Sequence, residues 1–305
     1  MGTLAGRVCG PSGQRWVSGA KVVVRDTERE TRTDPSGRFQ FEDLQTGPVV
    51  LDVTKGSFAT VVHATVTPNP IVTTVDPSCL SGDVQIAVFE GLYDSIEFLL
   101  ADLGLQYDLV RAEDTAEWLR NPENLTAYDM LFFNCGMRLD WRLYPEIAVR
   151  LREYVKQGGS IYASDLAYLI IEDAFPEAID FHGHDKEPTD VQRGVEGDYT
   201  AAVVDRDLQI ALGDSTAHIR YDLRNWTIAR RADGGDALLR ASVLAAPDDP
   251  TEKPVPVDSV LAARVRVGEG SVVFTSFHNE TQTSANAQPI TSDMLRILED
   301  IILSL

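Results

Sequence analysis

The stretch Tyr154-Val155-Lys156-Gln157-Gly158-Gly159-Ser160-Ile161-Tyr162-Ala163-Ser164-Asp165-Leu166-Ala167 carries the reading of the fold. Its first part ends a helix that Pro145 opens at a first-turn position, with Ile147, Leu151 and Val155 on one face and Gly158-Gly159 as the stop. Ile161 to Ala163 is a short apolar strand, and Leu166 to Ala174 reads as the next helix. Helix, strand and helix in such close order belong to an α/β domain with a parallel sheet.

Working outward, the alternation continues on both sides. Val84 to Phe89, Tyr107 to Val110 and Asp129 to Phe133 read as strands, and Ser95 to Leu103 has helical spacing. Downstream, Ser271 to Ser276 is a last buried strand. Met294, Leu295, Ile297, Leu298, Ile301, Ile302 and Leu305 form the apolar face of a closing helix. The expected architecture over residues 84–305 is a flavodoxin-like, doubly wound parallel sheet. Residues 180–259, where polar loops mix with strand-like pieces such as Trp226 to Ala229, are expected to be an irregular insertion with some antiparallel strands.

Before this domain the pattern is different. Leu4–Val8, Lys21–Arg25, Arg38–Phe41, Val49–Lys55 and Ala59–Val66 are short strands separated by Gly10-Pro11-Ser12-Gly13, Asp34-Pro35-Ser36-Gly37 and Gly47-Pro48. These turn residues supply positive or fixed φ, so residues 1–76 are expected to form a small antiparallel β-sandwich. Residues 77–83, Pro-Ser-Cys-Leu-Ser-Gly-Asp, read as a linker.

With 305 residues the chain is long enough for two such domains. Its 44% hydrophobic and 24% charged content is that of a folded protein. Acidic side chains outnumber basic ones 47 to 27, and the resulting charge of −20 repels phosphate backbones, so nucleic acid is excluded as a partner. No apolar run is long enough to span a membrane, and Met1-Gly2-Thr3-Leu4 does not open a signal peptide. Cys9 and Cys79 flank the first domain. Their placement suits a disulfide and an oxidising compartment.

Two family resemblances follow from quoted residues. Gly6-Arg7-Val8, Gly19-Ala20-Lys21-Val22, Thr33-Asp34, Gly37-Arg38-Phe39, Leu44 and Gly47 resemble the carboxypeptidase regulatory-like domain. That likeness implies a transthyretin-like sandwich, an accessory module of exported or cell-surface proteins without catalytic residues of its own. Asn134-Cys135-Gly136, Tyr154 to Gly159, Ala163-Ser164-Asp165-Leu166-Ala167, and Gly268-Glu269-Gly270-Ser271-Val272-Val273 leading to Phe277-His278-Asn279-Glu280 resemble the class I glutamine amidotransferase-like domain in its trehalose-utilisation-type branch.

Active members of that family place a cysteine in a Gly-x-Cys-x-Gly elbow. Here Ala163 and Ala167 bracket Asp165, so the resemblance puts Asp165 at the nucleophile position, with its neighbour Ser164 expected in the pocket beside Asn134 and Gly136. It gives Asn134 to Gly136 the oxyanion-hole role, and His278 and Glu280 match the imidazole and the carboxylate that orients it. Asp165 is open to two readings, a carboxylate nucleophile or the N-cap of the helix starting at Leu166. Cys135 is likewise either a displaced nucleophile or a buried bystander thiol. In Asp180-Phe181-His182-Gly183-His184-Asp185, the side chains of His182, His184 and Asp185 are a weak metal constellation that lacks a further ligand. No cofactor is expected. The function expected from the missing elbow thiol is non-catalytic binding or assembly in an exported, cell-surface or periplasmic protein. Its partner is an unidentified protein or small molecule, and an oligomer is compatible with this reading. The alternative is a hydrolase using Asp165 or Cys135 with His278 and Glu280.

Overall fold

The computed structural model describes the chain except residues 138, 140–143, 182–190, 248, 250 and 280–289. Period-2 alternation places Leu4, Val8, Val22, Phe39, Phe41, Leu51 and Val53 inside a sandwich of two sheets. Its strands are β1 (Gly2–Cys9), β2 (Lys21–Val24), β3 (Glu30–Arg32), β4 (Arg38–Leu44), β5 (Gly47–Lys55) and β6 (Phe58–Val66), followed by the short β7 (Val72–Thr74) and β8 (Ser78–Cys79). One sheet runs β3-β2-β5-β6, antiparallel throughout. The other pairs β4 antiparallel to β1, while β7 and β8 lie parallel to β1. At the turn before β4 the Asp34 carboxylate accepts from the N–H groups of Ser36 and Arg38, both at 2.8 Å, and Gly37 takes φ 76°. A Cβ there would stand 2.8 Å from the Val8 carbonyl oxygen, which only glycine avoids.

The expected linker at 77–83 is corrected. Ser78 and Cys79 pair with Val8 and Cys9, a disulfide joins Cys9 to Cys79, Leu80 is buried, and Ser81 bridges to Ala59. The chain therefore leaves the sandwich only after Ser81. The apolar Leu80 side chain and the covalent bond hold a segment whose proline and glycine content alone reads as a loop.

The second domain contains β9 (Ile86–Phe89), α1 (Ile96–Asp102), β10 (Asp108–Val110), α2 (Thr115–Arg120), α3 (Pro122–Thr126), β11 (Met130–Phe133), α4 (Pro145–Lys156), β12 (Ser160–Ser164), α5 (Tyr168–Ala174), β13 (Asp180–Phe181), β14 (Gly197–Val203), α6 (Arg206–Leu212), β15 (Thr216–Tyr221), β16 (Ala229–Arg231), β17 (Asp236–Ala245), β18 (Val255–Val267), β19 (Gly270–Thr275) and α7 (Ser292–Ser304). The sheet order is β10-β9-β11-β12-β19-β18-β17-β14-β15. The first five strands are parallel, and their order matches the flavodoxin-like arrangement, with the second strand outside the first. β18, β17, β14 and β15 then continue the same sheet in antiparallel register, so the sheet is mixed. Residues 180–259, expected as an irregular insertion beside a parallel sheet, mostly extend that sheet. Alternating burial along β17 is what drives them there.

Every residue of β9, β11 and β12 is buried, as a strand covered on both faces requires. Val88, Phe132 and Tyr162 face the layer formed by α1 and α7. Phe89, Phe133 and Ala163 face the layer formed by α4 and α5. The first layer runs on into the sandwich, so the two domains share one apolar cluster. α7 is the joint. Lys55 pairs with Asp300, Arg15 with Glu299 at 2.6 Å, and the Ser57 hydroxyl donates to the Leu305 carbonyl at 3.1 Å. Gly56, at φ 51°, would place a Cβ 2.6 Å from the Leu303 carbonyl oxygen. No helix among the described residues is long and apolar enough to cross a membrane.

Candidate functional site

In an open α/β sheet, ligands collect beyond the carboxyl ends of the parallel strands, beside the point where strand order reverses. Here that point lies between β9 and β11, and β9, β11, β12 and β19 deliver Asp94, Cys135, Asp165 and His278 to that edge.

β12 ends at Ser164 in extended conformation, and the chain then turns sharply into a 3-10 turn, Asp165–Ala167, that leads into α5. Asp165 makes the corner at φ 43°, an uncommon conformation for a residue with a side chain, and it is held by long-range bonds. Its Oδ1 accepts the Thr227 N–H at 2.6 Å, and its Oδ2 accepts the Cys135 thiol at 3.5 Å. The corner has the strand-to-helix form of a nucleophile elbow, with Asp165 at its apex. The N-cap reading of Asp165 is corrected: Ser164 occupies the cap position, Asp165 is the first residue of the turn, and its two oxygens are drawn across the sheet edge to Thr227 and Cys135.

Cys135 follows β11 and is fully buried. Burial pushes its thiol well above the usual range, and the Asp165 and Asp94 carboxylates push it further in the same direction, against the Leu166 N–H. A thiol held in this way is a weak nucleophile. Asn134 carries out a structural task. Its Oδ1 accepts the Ile96 N–H at 3.2 Å and its Nδ2 donates to Glu97 at 3.0 Å, which ties β11 to the start of α1. Gly136 has φ 84°, and a Cβ there would lie 2.6 Å from the Tyr93 ring.

His278 follows β19, with Nε2 3.9 Å from Asp165 Oδ2 and the side chain 11% exposed. The end of β19 is fixed by two hydroxyl contacts. Tyr162 Oη meets Thr275 Oγ1 at 2.8 Å, and Tyr221 Oη meets Ser276 Oγ at 2.6 Å. Thr275 in turn donates to the Phe277 carbonyl at 2.6 Å. The structure therefore brings Asp165, Cys135 and His278 together, with their ligand-type atoms within 4.8 Å of one another. Glu280 lies outside the described residues, as do His182, His184 and Asp185.

Sequence reasoning missed two members. Asp94 is buried, and its carboxylate accepts the Ser164 hydroxyl at 2.6 Å, the Ser95 N–H at 2.8 Å and the Asn279 N–H at 3.3 Å. Burial raises its pKa, and the nearby His278 offsets part of the rise. Asp165 behaves in the same way, raised by burial and partly relieved by His278. Asp94-Ser95 ahead of a helix is the signal that marks a polar strand-to-helix turn there. Thr227, whose backbone N–H holds Asp165, has no signal, because its role belongs to the main chain.

Residues 3–77 match the family model of the carboxypeptidase regulatory-like domain. No curated protein matches the chain. Among solved structures, the chain is similar to a cytoplasmic protein from Salmonella typhimurium LT2 at 14% identity and TM-score 0.47, covering 72% of this chain and 97% of that one. PurLQS from Thermotoga maritima is similar at 12% identity and TM-score 0.44, covering 72% and 97%. A β-galactosidase from Bacillus circulans sp. alkalophilus matches at 11% identity and TM-score 0.41, over 72% of this chain but 30% of its own length. At these TM-scores the likenesses carry no further conclusion; the amino-terminal β-sandwich followed by an α/β domain with a mixed sheet rests on the strand pairing and the family match.

Proposed function

We propose that this chain is a non-catalytic binding or assembly protein, exported to the periplasm or cell surface. On this reading its second domain descends from the trehalose-utilisation-type branch of the amidotransferase-like fold. One observation carries it. The elbow position holds a carboxylate whose two oxygens are committed to Thr227 and Cys135 in a buried corner, so no free nucleophile stands at the apex. An acyl-transfer site needs an accessible nucleophile with a base in hydrogen-bond reach. His278 Nε2 lies 3.9 Å from the carboxylate and the only thiol nearby is buried.

Binding is supported by the loop between β9 and α1. Leu92 and Tyr93 are 54% and 41% exposed and lie against Gly136, putting an apolar surface beside the carboxyl ends of the strands. The disulfide between Cys9 and Cys79 favours an oxidising compartment.

The test is a panel of ester, amide and halocarbon substrates assayed with the wild-type chain and His278→Ala in parallel. The reading expects no turnover that depends on His278. Turnover abolished by His278→Ala would establish the hydrolase instead. Light scattering addresses assembly, which predicts a particle larger than one 33.5 kDa chain.

A further inference from the structure

Cys135, Asp165 and His278 are separated by 30 residues or more in sequence, yet their Sγ, Oδ2 and Nε2 atoms converge on one point. The separations are 3.5 Å from Sγ to Oδ2 and 3.9 Å from Nε2 to Oδ2, with all three atoms inside 4.8 Å. A tetrahedral ion bound at 2.0–2.3 Å by sulfur, nitrogen and oxygen holds its ligand atoms about 3.4–3.7 Å apart. We propose that these three side chains form a binding site for a divalent transition-metal ion of the zinc type.

Five further features of the corner fit that role. The Thr227 N–H takes Oδ1 of Asp165, which leaves Oδ2 turned toward the sulfur and the imidazole as a single donor. The positive φ of Asp165 aims the carboxylate into the cluster instead of along α5. Asp94, a second buried carboxylate, accepts the Ser164 hydroxyl at 2.6 Å and the Asn279 N–H at 3.3 Å, each one residue from a member of the cluster, and adds a negative field that favours a cation at this position. Sulfur, nitrogen and oxygen donors together select zinc-like ions over calcium or magnesium, which take oxygen. His278 is the member that reaches the surface, and it marks the side from which an ion enters. On binding, the Cys135 S–H bond breaks and its proton passes to solvent, so thiolate and Asp165 carboxylate together balance the two positive charges. This inference concerns what the cluster holds, and it stands whether or not the domain turns over a substrate.

Cobalt(II) is the probe, because a thiolate bound to cobalt gives a charge-transfer band in the near ultraviolet. Cys9 and Cys79 are joined in a disulfide, and the chain has three cysteines, so such a band reports Cys135 alone. The full chain, freed of metal by a chelator, is titrated with cobalt(II) and then with zinc(II). The expected result is a band that saturates at one equivalent, is displaced by zinc, and disappears in Cys135→Ser. In His278→Ala, where the thiol is intact, the affinity falls at least about tenfold. Should Cys135→Ser fail to fold by circular dichroism, His278→Ala decides. Absence of the band in the wild-type chain overturns the site. So does an affinity unchanged in His278→Ala.

Discussion

Asp34 and Asp165 are both aspartates in turns that follow a strand, and they are held in opposite ways. Asp34 accepts from Ser36 and Arg38, two and four residues away, while Asp165 accepts from Thr227 and Cys135, 62 and 30 residues away. The first turn closes on itself. The second exists only because the sheet has brought separate segments to one edge. Burial alone would raise Asp34, but the backbone N–H groups of Arg38 and Ser36 and the Ser36 hydroxyl bring it below the ordinary carboxylate value; Asp165 is raised, by burial above all. A local turn stabilises a charge, whereas a corner assembled from distant parts encloses one.

If long-range contacts carry the second domain and its docking, the largest loss should come from the domain joint. Lys55→Ala leaves the part-buried Asp300 without its cation, and removing one partner of such a pair costs at most about 3–5 kcal/mol, read as a lowered urea midpoint. An unchanged midpoint would mean that α7 docks on apolar contact alone. Next is Asp165→Ala, which strips the buried Thr227 N–H of its acceptor and should cost about 1–3 kcal/mol in the same experiment. Asp165→Asn retains an acceptor oxygen and should lose much less. Equal losses in the two variants would show that the corner needs the charge rather than the hydrogen bond.

Asp34→Ala sharpens the contrast at lower amplitude, about 1 kcal/mol at neutral pH. Because the folded-state pKa of Asp34 is depressed, its contribution is present above the unfolded carboxylate value and is lost as pH falls through the folded one. Thermal melts of wild type and variant should therefore differ at pH 7 and converge in acid. A gap that persists in acid would assign the loss to turn geometry. The smallest effect is expected from Arg32→Ala, which breaks the Arg32–Asp207 pair across the domains at 3.1 Å with both side chains exposed. Such pairs contribute less than about 1 kcal/mol, and raising the salt concentration should erase the difference.

Legibility followed the same division. β1, β2, β4, β5 and β6 were readable because their turns are closed by residues within a few positions, and β9, β11, β12 and α4 because period and stop residues are local signals. β3, β7 and β8 were not, since three residues or fewer carry no periodicity and the partners of β7 and β8 lie far away along the chain. At the site, Asp165, Cys135 and His278 were identifiable from the resemblance of their flanking motifs. Asp94 and the Thr227 N–H were not, because nothing in their neighbourhoods records which strand end they face.

The sequence by itself determined a sandwich followed by an α/β domain and placed a carboxylate, not a thiol, at position 165; it suggested the Cys9–Cys79 bond, but the distance that closes it came from the fold. Only the tertiary structure decided that β14, β15, β17 and β18 extend the sheet, that α7 joins the domains, and that Asp165 turns both oxygens toward Thr227 and Cys135. The physical reason is range. Propensity and turn chemistry act over a few residues, whereas burial and hydrogen-bond partners at a sheet edge are set by segments that meet only after the chain has folded.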